Sequence, residues 1–387
     1  MSVEPETGTA TATNGEATSG WLSPLLSRAG AVVATGVDAG VAAHYGDPNR
    51  EQRLLDESFA CVDLSNRGVI TVSGPDRLTW LHSLTTQHMS TLEPRHSIET
   101  LILSPKGHVE HALHVVDDGE TTWLTTEPGA APAVLGWFTK MQFMLRVEVK
   151  DVSEEFAVLG EPIGAESGPG EPIAWVDPWP GVVGDSAAYG PIEGHPAQGR
   201  AWRELIVPRG YLETAVGERP LAGTWAAEAL RVAAWRPRAG VDTDHRTIPH
   251  ELDWMRTAVH LHKGCYRGQE TVARVHNLGR PPRRIVFLHL DGSGHTLPEQ
   301  GGDLRVGALF SAPDGGADAA TDGAPASVAK NSDEPPAPTR PIGRLTSVAR
   351  HYTDGPIALA VIKRNTDPEV ELAAGFTSAA QTLIGPA

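Results

Sequence analysis

Two tight turns join neighbouring apolar segments in the first half of the chain, and they limit the fold more than any other feature. Residues 104–107 read Ser-Pro-Lys-Gly, and proline in second place with glycine in fourth is typical of a β-turn. After this turn, Val109, Leu113 and Val115 share one face of a segment at a period of two, which indicates a strand. Residues 117–119, Asp-Asp-Gly, turn the chain back again. Strands joined by turns this short are antiparallel, so we predict an α+β fold rather than a doubly wound sheet.

The rest of the chain alternates between short apolar runs and helical patterns. Pro75 opens one helical pattern, and Thr224 is predicted to be the N-cap of another, which ends before Pro237. The predicted helices are 50–55, 75–84, 133–143 and 224–236, and the predicted strands are 59–64, 68–73, 98–103, 109–116, 202–207, 283–288, 342–350 and 357–364. The strands from residue 283 onward predict a β-rich terminal module.

Two segments lack the large apolar residues that a core needs. Residues 1–20 contain three glutamates and no lysine or arginine, and we expect a disordered tail there. Residues 311–340 are rich in Ala, Asp, Gly, Pro and Ser without apolar periodicity, and we expect a disordered insert in the terminal module. The 387 residues are enough for two or three domains.

The charge and the cysteine content narrow the class of protein. A net charge of −16 argues against nucleic acid or an anionic membrane surface as the main partner. Cys61 and Cys265 do not form a disulfide framework, so we expect a reducing compartment. Residues 1–20 resemble neither a secretory signal nor an Arg-rich transit peptide, and no stretch approaches the ~18 apolar residues of a membrane helix. We therefore expect a cytoplasmic protein.

One segment, His262–Glu270, is unlike the rest of the chain because it concentrates reactive and conformationally free residues. Lys263 lies two residues from Cys265, and on a strand both side chains would lie on one face, where the ammonium favours the thiolate. Gly264 and Gly268 allow another group to approach the backbone closely. The residues alone leave open a solvated turn with a structural, half-buried cysteine.

The segment carries K-G-C-Y-x-G-Q-E, which resembles the signature of the YgfZ family. Those proteins are folate-binding relatives of the glycine cleavage T-protein that work in iron–sulfur cluster assembly and repair. The seven fixed positions are Lys263, Gly264, Cys265, Tyr266, Gly268, Gln269 and Glu270. Further similar stretches are 67–69, 74–76, 247–249, 272–275, 279–280 and 355–360, so the resemblance extends from about residue 41 onward.

The resemblance implies a T-protein-like multidomain fold with a C-terminal β-barrel around a central folate channel. On that basis residues 21–280 form the folate-binding α+β region, with two subdomains that meet near 150–200, and residues 281–387 form the barrel. The implied cofactor is tetrahydrofolate or a one-carbon derivative. The implied partners are reduced folate and an iron–sulfur carrier or client enzymes, without nucleic acid or membrane.

The resemblance also assigns site residues. Residues 202–208 match the strand whose glutamate accepts two hydrogen bonds from the pterin, which places Glu204 on the pterin edge. Arg231 matches an arginine near the folate, although the family's following E-A-G is replaced here by Ala-Trp at 234–235 after Ala233. The implied catalytic residues are Cys265 and Lys263, and the implied cofactor contacts are Glu204, Arg231, Tyr266, Gln269 and Glu270.

A folate-dependent aminomethyltransferase or demethylase is the alternative function. In the T-protein, paired acids follow a turn, and one of them is essential to transfer. Aligning Gly107 and Leu113 places His111 and Ala112 at those positions, and an alanine cannot replace a carboxylate that steers a cationic amine. This departure argues against aminomethyl transfer and leaves open whether the chain is an enzyme. A scaffold that has lost folate is a third possibility, which a filled channel would support.

Histidine and cysteine patterns predict no resident metal site. The histidines within residues 108–114 cannot converge from one strand, because His111 points away from the other two. His260, His262 and Cys265 give a pattern found in zinc sites, but without a visible fourth ligand this stays a minor alternative.

A protein-held iron–sulfur cluster normally needs four cysteines, and this chain has two. Cys265 therefore either supplies one ligand to a shared cluster or acts as a nucleophile toward a folate-borne one-carbon unit. Several of the ten tryptophans lie between Trp175 and Trp254, where they are consistent with a wall for a stacked pterin.

Overall fold

The computed structural model describes residues 21–293, 296–307 and 340–384 of the chain. The predicted tail at 1–20 and residues 311–339 of the predicted insert lie outside these residues. The α-helices are α1 (Pro48–Asp56), α2 (Arg77–Leu84), α3 (Ala131–Met141), α4 (Leu212–Val216), α5 (Thr224–Ala233), α6 (Met255–Ala258) and α7 (Gln269–Leu278). Short 3₁₀ helices cover Pro24–Ser27, Gly36–Asp38, Arg209–Tyr211 and Pro249–Leu252.

Most strands are antiparallel, as the short turns predict, and the α+β prediction is confirmed. The strands before the terminal module are β1 (Val32–Val33), β2 (Ala42–His44), β3 (Cys61–Asp63), β4 (Gly68–Ser73), β5 (Ser97–Leu103), β6 (Val109–Asp117), β7 (Thr121–Thr126), β8 (Glu148–Asp151), β9 (Phe156–Glu161), β10 (Ile173–Val176), β11 (Arg203–Pro208) and β12 (Leu221–Ala222). Those of the terminal module are β13 (Arg283–Leu290), β14 (Asp303–Val306), β15 (Gly343–His351), β16 (Gly355–Lys363), β17 (Leu372–Ala374) and β18 (Thr377–Leu383). The pair β1–β2 forms a small two-stranded sheet.

The first large sheet has the order β5-β6-β7-β4-β8 and is antiparallel throughout. Its two predicted turns are present. Gly107 donates its N–H to the carbonyl of Ser104 at 2.9 Å, and Gly119 donates to Asp117 Oδ1 at 2.8 Å. Helices α2 and α3 cover one face, where Trp80 and Phe138 are buried against the strands.

The second large sheet has the order β10-β11-β9-β3-β12, with β12 parallel to β3. Trp175 on β10 lies directly opposite Glu204 on β11. Helix α5 begins at Thr224, but the prediction that Thr224 caps it is wrong. Gly223 is the N-cap residue, and its own N–H donates to Glu51 Oε2 at 2.9 Å. A glycine fits there because the backbone of Ala43 and His44 leaves no room for a Cβ.

The terminal module is a closed barrel of the order β13-β16-β15-β14-β17-β18, which confirms the predicted C-terminal β-barrel. Its alternate apolar residues fill the interior, with Leu288, Leu304 and Ile362 among them. The other face of the barrel packs against the rest of the chain, because Phe287 and Leu359 share one apolar cluster with β5, α5 and α6. This cluster crosses the predicted boundary at residue 280, and the division into domains stays a prediction. No helix among the described residues is long and apolar enough to span a membrane.

Candidate functional site

A cavity of about 590 Å³ lies where the two sheets, α5 and the barrel meet. Its wall is formed by residues of β6, β10, β11 and α5, by the segment 196–202 and by residues 351–354 after β15. Tyr352 at this edge donates its hydroxyl to Asp56 of α1 at 2.8 Å. A volume of this size is typical of small-molecule sites.

Glu204 is the buried carboxylate of this wall. Its Oε1 lies 2.9 Å from Arg67 Nη1, and its Oε2 lies 2.9 Å from His114 Nδ1. Thr125 Oγ1 is 3.4 Å from the same Oε2. Burial alone would raise the pKa of the Glu204 carboxyl, but Arg67 and His114 outweigh burial and hold that pKa at about 2. The carboxylate is therefore charged at neutral pH and ready to accept hydrogen bonds.

His114 makes a second contact on the wall. Its ring stacks on Trp175 with the centroids 3.5 Å apart and the planes at 4°. Trp175 is itself fixed, since its Nε1–H donates to the carbonyl of Ile98 at 2.8 Å. The chain therefore presents an aromatic face and a carboxylate side by side on neighbouring strands.

Arginine–carboxylate pairs line the remaining wall. Burial opposes the charge of each guanidinium, but the surrounding carboxylates outweigh burial and raise the pKa of Arg231, Arg236 and Arg238. The pairs are Arg67 with Glu204, Arg200 with Asp177, Arg231 with Glu228 and Asp242, Arg236 with Glu99 and Asp177, and Arg238 with Asp38, Glu127 and Glu228. Such mutual pairing fixes the shape of the cavity.

Arg231, which the sequence assigns to the cofactor, lines the cavity and also joins α5 to the barrel. Its Nη1 donates to Asp242 Oδ2 at 2.9 Å, and its Nη2 donates to Ser347 Oγ at 2.7 Å. Its guanidinium thus donates to Asp242 and to the barrel residue Ser347, and these bonds hold this part of the wall in place.

Two buried polar atoms of lining residues have no hydrogen-bond partner within the described part of the chain, Arg67 Nε and Thr224 Oγ1. Buried polar atoms are nearly always paired, so unpaired ones at a cavity indicate groups that a ligand or water completes.

Lys263 lies in a second region, the motif loop, which we define as residues 261–268. Its Nζ donates to the backbone carbonyls of Thr85, at 2.5 Å, and of His82, and it lies 5.2 Å from the ring centre of Tyr266. Burial lowers the pKa of Lys263 to about 7. The ammonium therefore braces the end of α2 against the loop.

The expected strand geometry of the motif is wrong. Residues 261–268 lie in turns and irregular backbone, and Gly264 has a φ of +96°. Lys263 is buried while Cys265 is exposed, and Gly264, with its positive φ, lies between them. The lysine thus faces the interior and the thiol faces outward.

Gly268 allows close packing of the backbone, a role that the sequence motif did not reveal. A Cβ on this residue would lie 2.6 Å from the carbonyl oxygen of Ser104 and 2.9 Å from the Cα of Gly107. Its φ of +84° is also one that glycine adopts most readily. The loop therefore rests directly on the β5–β6 turn, and only glycine permits this approach.

Tyr266, Gln269 and Glu270 complete the motif, and the structure places them outside the cavity wall. Gln269 Oε1 accepts the N–H of Tyr266 at 2.8 Å, which closes the loop onto α7. Glu270 is exposed in the first turn of α7, where a carboxylate favours the helix dipole. Of the predicted site residues, only Glu204 and Arg231 line the cavity. The cofactor roles of all five residues stay predictions.

Three histidine rings lie beside the motif loop. His88 is 4.7 Å from His82 and 5.3 Å from His260, measured between ring centres. Met89 donates to His82 Nδ1 at 3.2 Å, so in the neutral ring Nε2 carries the proton and donates to the carbonyl of Lys263 at 3.0 Å. Among the described residues, no group of three or more His, Cys, Asp or Glu side chains is arranged to hold a metal ion.

Sequence reasoning did not assign three residues of the cavity wall, Arg67, His114 and Arg236. Arg67 lies in a stretch that resembles the YgfZ family, which is the one signal that pointed to it. The partners of Arg236 and His114 are 137 and 90 residues away along the chain. No local pattern marks such pairs.

Several known proteins are similar to this chain in sequence or in fold. Residues 22–160 match the family model described as the GCVT N-terminal domain. A putative chloroplastic transferase of Arabidopsis thaliana is 26% identical over 301 residues, which cover 70% of this chain and 66% of the relative. A mitochondrial IBA57 homologue of Mycosarcoma maydis, an iron–sulfur cluster assembly factor, is 24% identical over 264 residues, which cover 62% of this chain and 60% of the relative. The chain thus spans less than two thirds of either relative.

A solved structure shares the fold along nearly the whole chain. The glycine cleavage system aminomethyltransferase T from Bartonella henselae superposes with a TM-score of 0.66 at 18% identity, over 93% of this chain and 94% of the other. The likeness covers the sheets and the barrel together.

Proposed function

Because this chain is a YgfZ/IBA57-like relative of the glycine cleavage T-protein, we propose that it binds a tetrahydrofolate-type ligand in its central cavity and acts as an accessory factor in iron–sulfur cluster assembly or repair. Its relatives of the GCVT family support folate as the ligand class. The two unpaired cysteines support a reducing compartment, and the cytoplasm is the one that we propose.

The observation that carries the proposal is a charged, buried carboxylate on the wall of a cavity of ligand size. Glu204 has a pKa of about 2, so it stays ionised although it is buried. A pterin has two adjacent in-plane donors, and a carboxylate is their natural acceptor.

When bound, a reduced folate would supply a carrier for a one-carbon unit. The residues of this chain have simpler tasks in the proposal. Glu204 binds and orients the ring, Trp175 forms the aromatic part of the wall beside it, and the Arg231 and Arg236 pairs keep the wall rigid.

Cys265 has a different role in this proposal because it lies outside the cavity wall and is exposed. An exposed thiol on a loop is accessible to a partner protein. We propose that Cys265 supplies one ligand to a cluster shared with an iron–sulfur carrier or client enzyme. The other role that the sequence leaves open, a nucleophile toward a folate-borne one-carbon unit, has less support because the thiol lies outside the cavity wall. Lys263 supports Cys265 indirectly, by fixing the loop against α2.

The alternative function, folate-dependent aminomethyl transfer, has less support. His111 and Ala112 occupy the positions of the paired acids, and neither lines the cavity. The third candidate, a scaffold without a ligand, is disfavoured by the open volume of about 590 Å³.

Complementation tests the proposal as a whole. In cells that lack this protein and show reduced iron–sulfur enzyme activity, the wild-type chain should restore that activity, whereas Glu204→Ala and Cys265→Ala should not. Cys61→Ala is the matched cysteine control and should restore it, because Cys61 is a buried core residue. Full restoration by both Glu204→Ala and Cys265→Ala, at wild-type protein levels, would refute the proposal.

A further inference from the structure

His114 occupies the place where a flat ligand would make its two best contacts. The imidazole lies on the indole of Trp175 at 3.5 Å and 4°, and its Nδ1 is 2.9 Å from Glu204 Oε2. Both contacts are made by residues of the cavity wall. A ligand ring cannot stack on that face of Trp175 and bond this oxygen of Glu204 while His114 does so.

The shorter of two contacts assigns the proton on Nδ1. Arg67 Nη1, which always donates, is 3.3 Å from Nδ1, whereas the Glu204 oxygen, which only accepts at neutral pH, is closer at 2.9 Å. The imidazole therefore donates in its own plane to Glu204. It is a small flat heterocycle with an in-plane N–H donor, as is the ring of a pterin.

The two halves of this arrangement differ in how firmly they are held. Trp175 and Glu204 are cross-strand neighbours in one sheet, and Trp175 has its indole N–H bonded to Ile98. His114 comes from β6 of the other sheet and keeps 15% of its side chain exposed. Glu204 also keeps its bond with Arg67 when the imidazole turns away. The histidine is thus the part that can leave.

We propose that Trp175 and Glu204 form a ring subsite and that His114 is its built-in occupant in the free protein. The ligand class is a flat heterocycle with in-plane N–H donors, which displaces the imidazole and takes over both of its contacts. This inference rests on the proposed function, since it deepens the account of the same cavity.

Removing the occupant should strengthen binding, because the ligand no longer has to break a hydrogen bond to a charged group. Such bonds are worth enough to change affinity about tenfold or more. Calorimetric titration with tetrahydrofolate should therefore give a dissociation constant about tenfold lower for His114→Ala than for the wild type. His111→Ala, on the same strand but outside the cavity wall, should bind as the wild type does.

Competition by free imidazole is a second measurement, and its result would not change if His114 had only a structural role. Imidazole should compete with tetrahydrofolate in His114→Ala, where the subsite is vacant, and not in the wild type. His114→Ser provides the same comparison if the alanine variant does not fold. Suppose that the wild type binds tetrahydrofolate, that neither His114 variant binds it more tightly, and that imidazole does not compete. That result would overturn this inference and leave the proposed function standing. Absence of binding in the wild type and in all variants would overturn the proposed function together with it.

Discussion

The cavity and the motif loop satisfy their buried charges with different partners. Around the cavity, each arginine faces one or more carboxylates, and some of these are distant along the chain, such as Glu99 and Asp177 beside Arg236. In the motif loop, Lys263 donates to backbone carbonyls and lies near the ring of Tyr266. Paired charges make the cavity rigid and dependent on long-range folding. The loop is held by hydrogen bonds from one lysine to backbone carbonyls at the end of α2 and by the close backbone approach at Gly268, and it leaves Cys265 accessible.

The difference suggests a division of labour. A rigid wall with a charged acceptor favours recognition of a small flat ligand, whereas an exposed thiol on a braced loop favours contact with another protein. The loop rests on the β5–β6 turn through Gly268, so the two regions share a sheet but no side chain that lines both. Variants in the two regions should therefore fail in different ways.

The largest difference should appear when one buried cation is removed from each region. Arg236→Met leaves buried Glu99 without its cationic partner and Asp177 with Arg200 alone, and the free energy of unfolding should fall by about 3–5 kcal/mol. Lys263→Met leaves two carbonyl acceptors, and the loss should be about 1–2 kcal/mol. Urea denaturation monitored by tryptophan fluorescence measures both. Equal losses would show that the two regions do not differ in this respect.

Acid should destabilise the cavity through Glu204. The folded-state pKa of Glu204, about 2, is below its ordinary value of 4.5. The stabilisation is therefore fully present above pH 4.5 and is lost as the pH falls toward 2. It amounts to about 3 kcal/mol by the pKa difference. Glu204→Gln should flatten the fall in unfolding free energy over this range. An unchanged pH profile in Glu204→Gln would place the acid sensitivity elsewhere.

The two cysteines should differ in reactivity. Burial raises the pKa of the Cys61 thiol to about 11, and its side chain is enclosed, whereas Cys265 is exposed. Iodoacetamide at neutral pH should modify Cys265 and leave Cys61 unmodified, as peptide mass spectrometry would show. Modification of Cys61 in the folded protein would contradict this picture.

Alanine variants of the same two cysteines should also differ in their free energy of unfolding, by a smaller amount than the arginine and lysine variants do. Cys265→Ala should change the free energy of unfolding by less than about 0.5 kcal/mol, because it removes an exposed side chain. Cys61→Ala should cost more, since it removes a sulfur that packs in a core cluster. A larger loss for Cys265→Ala would make the motif cysteine a structural residue.

The sequence predicted the strands and turns because their signals are local. The Ser-Pro-Lys-Gly turn and the period-two residues of β6 are examples, and both are found as expected. Helix α7 was missed although Gly279, in a left-handed conformation, ends it as glycine commonly does. The sequence contains that signal, but attention to the neighbouring K-G-C-Y-x-G-Q-E motif led to no helix being predicted there.

The cavity was only partly predictable. Glu204 and Arg231 emerged from family resemblance, but their pairing with Arg67, His114 and Asp242 did not, because no local pattern marks which side chains will pack together. The orientation of Lys263 could not be predicted from the sequence either, since it depends on the positive φ of Gly264. Local sequence thus predicts which residues are unusual, and long-range packing decides what they face.

The central claim is that the cavity recognises a reduced folate through Glu204. The most direct test is a calorimetric titration of purified protein with tetrahydrofolate, comparing the wild type with Glu204→Ala and with the control Glu110→Ala, which alters an exposed ion pair with Arg267. The account predicts binding by the wild type and the control, and a loss on the order of 100-fold for Glu204→Ala, as expected when a charged acceptor is removed. Equal affinity in the wild type and in a folded Glu204→Ala, or no binding by the wild type, would contradict it.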